Sequence, residues 1–474
     1  MKIAIVWFRN DLRLADNPAL AHAVAGFDRV LPVFVRERVD DDPWPPGAAA
    51  DWWLHRALAD LEARLAEKGS RLLRLAGDPR ALIPALAEQI GAAVFWNRRY
   101  EPAGQARDKT IKARLKADGR EVRSFNAALL AEPWEVATRN GDPYRVFTPF
   151  WKALSARDWP EPVPAPDTLP PTPETPAGES LEALALLPAI PWYRSLDAAW
   201  MVGEVAALER LDGFLEYGID AYDEQRDRPG EAGTSRLSPY LHFGHVGPRQ
   251  VWQAVRERTD FRSPDVQRFL GELGWREFAH HLLYHYPETP DACLNARFRD
   301  FPWREDVADD LAAWQVGRTG IPIVDAGMRE LWETGWMHNR VRMIVGSLLT
   351  KNLLIPWQAG ARWFWDTLVD ADLASNTLGW QWIGGCGADA APYFRIFNPV
   401  LQGERFDGDG AYVRRWVPEI AGLPDRHIHK PWEAPAGVRE RAGIRLGRDY
   451  PEPIVDLKQS RRRALEAFEA IKKG

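Results

Sequence analysis

A chain of 474 residues is too long for one compact core, so two or three domains are expected. With 46% hydrophobic and 27% charged residues, and no apolar run near the roughly 18 residues of a bilayer span, it reads as globular and without a membrane partner. The net charge of −6 gives no global sign of nucleic-acid binding and does not exclude it, because phosphate contacts need only a local basic face.

The N-terminus, MKIAIVWFRNDLRL, has one short apolar run, Ile3 to Phe8, before Arg9, Asp11 and Arg13. That run is too short for a secretory signal, so a cytoplasmic location is expected. Over residues 1–130, short apolar runs alternate with helical stretches. IAIVWF, VLPVFV, RLLRL, AAVFW and EVRSF are the predicted strands, and ADWWLHRALADLEARLAEKG has helical spacing that stops at Gly69. Such alternation predicts a doubly wound parallel sheet, with ligands beyond the carboxyl ends of its strands. The first strand runs into RNDLRLADN, so the glycine-rich turn that cradles a dinucleotide pyrophosphate is missing. This domain is not expected to hold a flavin dinucleotide.

Residues 131–190 are the predicted interdomain linker. Within it, WPEPVPAPDTLPPTPETPAG at 159–178 is dense in proline and poor in large apolar groups, which gives an extended, semi-rigid segment. From 191 to 474 the pattern turns helical. VQRFLGELGWREFAHHLLYHY, VDAGMRELWETG and MHNRVRMIVGSLLTKNLL carry apolar residues at three- and four-residue spacing. The expected fold class is therefore α/β plus all-α: a sheet domain, a long linker and a large helical domain.

Cys293 and Cys386 are the only cysteines. They offer no disulfide framework, no Cys-x-x-Cys site and too few thiolates for an iron–sulfur cluster, so no metal is expected. No Gly-Lys dipeptide, His-Glu-x-x-His or Gly-x-Ser-x-Gly occurs, which disfavours P-loop, zincin and hydrolase chemistry. Gly385-Cys386-Gly387 with Ala390 meets a loose Gly-x-Gly-x-x-Ala pattern but follows no strand. The 23 tryptophans direct attention to an aromatic site or an electron path.

The run Thr234-Ser235-Arg236-Leu237-Ser238 sets hydroxyls and amides around a guanidinium, which suits either a phosphate or a helix N-cap. Asn339, Arg342 and Met343 share one helix face, a poor core stripe but a workable cofactor wall. Asp370 and Asp372 follow on the next segment and offer Arg342 a bidentate partner, for a cofactor or simply for a buried salt bridge. Glu272 and Trp275 form another i, i+3 pair. They are either a cavity glutamate with a raised pKa beside an indole, or a surface glutamate flanking a core tryptophan. Residue chemistry alone leaves these alternatives open.

Taken in order, the segments resemble the photolyase/cryptochrome family over essentially the whole chain. They are WFRNDLRLADNPAL (7–20), TSRLSPYLHFGHV (234–246), ELGWREF (272–278), TGIPIVDAGMREL (319–331), GWMHNRVRM (335–343), DADLASNTLGWQW (370–382) and GADAAPYFRIFNPVLQGERFD (387–407). The resemblance is strongest to photolyases of cyclobutane pyrimidine dimers. It implies U-shaped FAD in the helical domain, with Tyr222, Thr234, Ser235, Arg236, Leu237 and Ser238 at its phosphates and ribityl chain. It places Arg342, Asp370, Ala371 and Asp372 near the isoalloxazine ring, and Asn376 facing N5, where plant and animal cryptochromes tend to carry Asp or Cys.

By the same resemblance, Glu272, Trp275, Asn339, Met343 and Trp382 line a lesion pocket. Trp275 and Trp382 would stack on the two extruded pyrimidines, worth roughly 1–3 kcal/mol per base. Glu272 would stabilise the dimer's radical anion. The (6-4) photolyases carry histidine where this chain has Met343. Trp380, Trp357 and Trp303 match an electron-transfer chain from flavin to surface, and Arg226, Arg395 and Gln402 match positions that approach the DNA backbone. UV-damaged DNA is the implied partner, and a monomer is the default.

The implied reaction is light-driven. An electron passes from photoexcited reduced FAD to the flipped dimer, the cyclobutane ring opens, and the electron returns, so the enzyme is a carbon–carbon lyase. In Asn97-Arg98-Arg99-Tyr100-Glu101 the family's folate-binding pattern is incomplete, because Ala103 and Gly104 stand where one folate-antenna type has an Asn-Glu pair. A second, antenna chromophore is still expected, methenyltetrahydrofolate first and a deazaflavin second. The alternative function is a cryptochrome-like photoreceptor that binds FAD without repair. Asn376, Met343 and the Trp275/Trp382 pair speak against it, and Trp382 speaks against a single-strand-specific DASH type.

Overall fold

The five apolar runs all become strands in the computed structural model, which describes residues 1–390 and 394–472. They are β1 (Ile3–Phe8), β2 (Arg29–Glu37), β3 (Leu73–Gly77), β4 (Ala93–Asn97) and β5 (Val122–Phe125). All pair in parallel, in the order β3-β2-β1-β4-β5. Consecutive residues Ala4 to Phe8 of β1 are buried, so both faces of the sheet are covered, as a parallel sheet requires. Its core gathers Ile5, Trp7, Leu31, Val33, Val94 and Trp96, and the Trp7 and Trp96 rings meet edge-on at 5.8 Å. The helix Ala48–Glu67 stops as expected, with Gly69 in the left-handed region at φ 75°.

The strand order reverses between β1 and β4, where ligands of such sheets usually sit. Here the segment after β1 fills that end with its own side chains. Asn97 Nδ2 donates to Asp11 Oδ2 at 2.6 Å and to Asn17 Oδ1 at 2.7 Å, and Arg9 Nη1 donates to Asp108 at 2.6 Å. Arg13 donates to the carbonyls of Gly244 and Ala127 at 2.9 and 2.8 Å. This buried network is the structural counterpart of the missing glycine-rich turn. The proline-rich segment 159–178 has no helix or strand, as expected. It is tied down by backbone bonds from Asp16, Val30 and Leu169, to Val163, Pro171 and Lys68 respectively.

Packing divides the chain into two compact units. One comprises Met1–Ile219, Ser235–Pro287 and Asp372–Ala374; the other comprises Asp220–Thr234, Glu288–Ala371 and Ser375–Gly474. These follow contacts, whereas the division at 130 and 190 follows the change of secondary-structure type, which we propose as the limits of the recognisable domains. The helix Pro264–His285 falls in the sheet-bearing unit, where Glu277 accepts the backbone N–H groups of Leu130 and Ala131 at 2.9 and 3.4 Å.

The second unit is helical, with Pro322–Thr334, Asn339–Ser347, Trp357–Thr367, Pro399–Phe406 and Leu457–Lys472 among its helices. Pro322–Thr334 and Asn339–Ser347 approach closely at Gly327, where a Cβ would overlap Val341. The predicted helix through residue 354 is α-helical only to Ser347 and then widens into a π turn, Leu348–Asn352. Among the described residues no helix is long and apolar enough to cross a membrane.

Candidate cofactor and lesion site

In the sheet-bearing unit, Glu272 and Trp275 sit one turn apart on the helix Pro264–His285, both half-buried. The Trp275 indole lies parallel to Phe147 with ring centroids 3.8 Å apart, and Phe147 is parallel to Trp151 at 6.3 Å. Gly274 admits this layer, since a Cβ there would overlap the Trp151 ring. An indole held flat, with part of its surface open, has the geometry on which a base can stack. Phe147 was not among the residues singled out by sequence.

The run Ser235 to Ser238 turns at Arg236, a non-glycine residue held in the left-handed region at φ 52°. Leu237 N–H donates to Ser235 Oγ at 3.4 Å, the Arg236 guanidinium lies 5.7 Å from the Trp200 ring, and Ser238 opens the helix Ser238–His242. Asp372, in the same unit, faces two imidazoles: His280 Nε2 at 3.3 Å and His242 Nδ1 at 3.8 Å. Burial alone would push the Asp372 carboxyl up, but His280 and His242 outweigh it and hold it well below the usual carboxylate range. Burial opposes protonation of His280 too, yet Asp372 raises it.

In the helical unit, Arg342 and Asp370 are brought together. Arg342 Nη2 reaches the two Asp370 oxygens at 3.1 and 2.8 Å, and its Nε donates to the Met337 carbonyl at 2.7 Å. Of the two candidate aspartates, Asp370 therefore takes the arginine and Asp372 takes the histidines. Ala371 between them is buried. Asn339 is exposed at the first turn of its helix, and Met343, one turn on, is half-buried. Asn376 Nδ2 donates to the Ala361 carbonyl at 3.0 Å. Tyr222 is buried under the Arg226 guanidinium at 5.5 Å, and Thr234 is half-buried.

Trp380 is buried edge-on against Phe364 at 5.0 Å, Trp357 is fully buried, and Trp303 is half-buried on Phe301 at 4.4 Å. Two of the three indoles are thus buried and the third is partly open. Trp382 is half-buried with the exposed Arg395 guanidinium 5.9 Å from its ring. Gln402 lines a cavity of about 360 Å3 with Asn352, Phe397, Leu457 and Arg461.

The donor set suits FAD. Hydroxyls and amides around a guanidinium match a diphosphate, and an aspartate kept anionic matches a flavin ring N–H. His242, His280 and Phe147 are additions that the sequence did not single out. The His280-His281 pair within a helical apolar pattern was the only available signal for His280.

The comparisons agree along the chain. Residues 4–168 match the family model described as DNA photolyase, and residues 269–470 match the FAD binding domain of DNA photolyase. A deoxyribodipyrimidine photo-lyase of Agrobacterium fabrum is 50% identical over 99% of this chain and 98% of its own length. Cryptochrome-2 of Arabidopsis thaliana is 40% identical over 97% of this chain and 78% of its own. Among solved structures, a bacterial class III photolyase from Agrobacterium tumefaciens superposes with a TM-score of 0.95 at 49% identity, covering 100% of this chain and 98% of that one.

Proposed function

Because the chain belongs to the DNA photolyase family, we propose that it uses blue light to split cyclobutane pyrimidine dimers in DNA. The observation that carries this reading is the Trp275 indole, held flat on Phe147 at 3.8 Å with part of its surface open and Glu272 one turn away. Trp275 and Trp382 stack on the flipped pyrimidines. Glu272 hydrogen-bonds the dimer, and Asn339 and Met343 contact it. The flanking strand is held through its phosphates by Arg226, Arg395 and Gln402.

FAD, when bound and reduced, supplies the photoexcited electron that opens the ring and takes it back afterwards. Tyr222, Thr234, Ser235, Arg236, Leu237 and Ser238 hold its phosphate and ribityl portion. Arg342, Asp370, Ala371, Asp372 and Asn376 face its ring and fix the charge around it. Trp380, Trp357 and Trp303 carry electrons inward when the flavin has been oxidised. A second antenna chromophore, methenyltetrahydrofolate before deazaflavin, a cytoplasmic location and a monomeric state belong to the same proposal.

A second reading, a photoreceptor without repair activity, draws support from the similarity to Cryptochrome-2. Photoreactivation separates the two. The chain is expressed in a bacterium lacking its own photolyase, and the cells are UV-irradiated and then kept in blue light or darkness. Light-dependent recovery of survival is expected; equal survival in both would favour the photoreceptor.

A further inference from the structure

The two cysteines, far apart in sequence, meet in the helical unit beside the middle tryptophan of the proposed electron path. Trp357, which is fully buried, donates its indole N–H to Cys293 Sγ at 3.3 Å. The Cys386 Sγ and the Trp357 ring both pack against Gly384, at 3.5 and 3.7 Å from where its Cβ would stand, and each thiol shifts the protonation of the other. Cys293 is half-buried and Cys386 fully buried. Asn295 N–H donates to the Cys386 carbonyl at 2.8 Å and so ties the two cysteine-bearing segments together.

A lysine completes the cluster. Lys351 is 1% exposed, donates to the Gly384 carbonyl at 2.6 Å, and lies 3.5 Å from the centre of the Phe394 ring. Its amine and the Cys386 sulfur flank the adjacent glycines, Lys351 Nζ 3.3 Å from where a Cβ on Gly385 would stand and Cys386 Sγ 3.5 Å from that of Gly384. Photolyase chemistry as proposed above has no use for two thiols and a buried amine. Packing has little use for the amine either, since a charged lysine is costly to bury.

We propose that the Cys293–Cys386 dithiol is an internal electron donor for photoreduction of the flavin, and is converted to a disulfide in the process. This rests on the reading of Trp357 and Trp380 as the inward electron path. A hole arriving on Trp357 is filled by the sulfur already in contact with its N–H. Cys293, which is half-buried and releases its proton to solvent as the electron leaves, is then a thiyl radical. It bonds to the Cys386 sulfur as that thiol's proton passes to the Lys351 amine. The resulting disulfide radical anion gives up the second electron along the same path and leaves a neutral disulfide. In total, two electrons pass from the thiols to oxidised FAD, one per photon. The two thiol protons leave to solvent, that of Cys386 by way of Lys351, and the flavin takes up two protons from solvent. The net reaction is FAD plus dithiol giving FADH2 plus disulfide.

The local electrostatics support the sequence of steps. The neighbouring Cys386 thiol lowers the Cys293 thiol to about 7 although burial opposes it, and the Trp357 N–H adds to the lowering. Burial brings Lys351 down to about 7, so a neutral amine is available to accept a proton.

The test illuminates the holoenzyme with oxidised FAD, without oxygen or added reductant. Loss of flavin visible absorbance is followed together with the thiol state of residues 293 and 386 by peptide mass analysis. One Cys293–Cys386 disulfide per FAD fully reduced is expected. In Cys293→Ser, the disulfide and sustained photoreduction should both be lost. Photoreduction that leaves both thiols intact, or no photoreduction without an external donor, overturns the proposal. Trp380→Phe separates it from the reading beneath it: unchanged photoreduction in that variant refutes the tryptophan path itself, whereas blocked photoreduction with intact thiols in the wild type refutes only the dithiol.

Discussion

Arg342 and Asp370 form a closely held ion pair, with Nη2 at 3.1 and 2.8 Å from the two carboxylate oxygens and the carboxylate buried. The Met337 carbonyl fixes Nε at 2.7 Å, so the guanidinium has one orientation. Asp370→Asn removes the charge that holds it. The variant should lose about 1–3 kcal/mol of stability and retain less FAD after purification, read as visible absorbance per protein. Unchanged FAD content would separate this pair from the cofactor.

Glu277 links the helix Pro264–His285 to the backbone of residues 130 and 131, and it titrates where it can be followed. Burial pushes its carboxyl up to about 7, against Arg276 and the two amides. Its folded value lies above its ordinary one, so the folded chain binds this proton more tightly than the unfolded chain does. That stability is complete at low pH and is lost as pH rises through about 7. Glu277→Gln keeps an acceptor for the amides and cannot titrate. Urea unfolding of both proteins should show the wild-type advantage shrinking by roughly 3 kcal/mol between about pH 4 and about pH 8.

Gly360 faces Trp380 so closely that a Cβ would overlap the indole. Gly360→Ala must move that ring, at a cost of about 1–3 kcal/mol. Thermal unfolding should come earlier and photoreduction of oxidised FAD should slow. Normal photoreduction in a destabilised variant would argue that the placement of Trp380 is structural only.

Arg395 is exposed and Trp382 lies beside it, so the two should separate phosphate binding from base stacking. Arg395→Ala should weaken binding to damaged and undamaged duplexes alike, and reduce the salt slope of log K by about 1. Trp382→Ala should leave that slope unchanged and cost roughly 1–3 kcal/mol on lesion-bearing DNA only. Fluorescence titrations at several salt concentrations measure both.

The strands were legible because a parallel sheet buried on both faces writes itself as continuous apolar runs, IAIVWF being the clearest. That Arg342 would meet a carboxylate of the following segment was legible, because a guanidinium and a nearby carboxylate form a bidentate pair. Phe147 was not: its partner Trp275 lies on a distant helix, and no periodicity connects them. The choice between Asp370 and Asp372 also lay outside local pattern, since His242 and His280, which claim Asp372, come from two other helices. The helix Pro264–His285 falls in the sheet-bearing unit, where Glu277 reaches the backbone of Leu130, a contact between segments that composition does not relate.

Light-dependent repair by the purified, photoreduced holoenzyme tests the central claim most directly. A thymine-dimer duplex and a (6-4) duplex are each incubated under blue light and in darkness, and restored bases are quantified. Restoration of the thymine dimer alone, in light alone, is the expected result. Repair of neither lesion by protein whose FAD photoreduces normally would contradict the account and leave the photoreceptor reading standing.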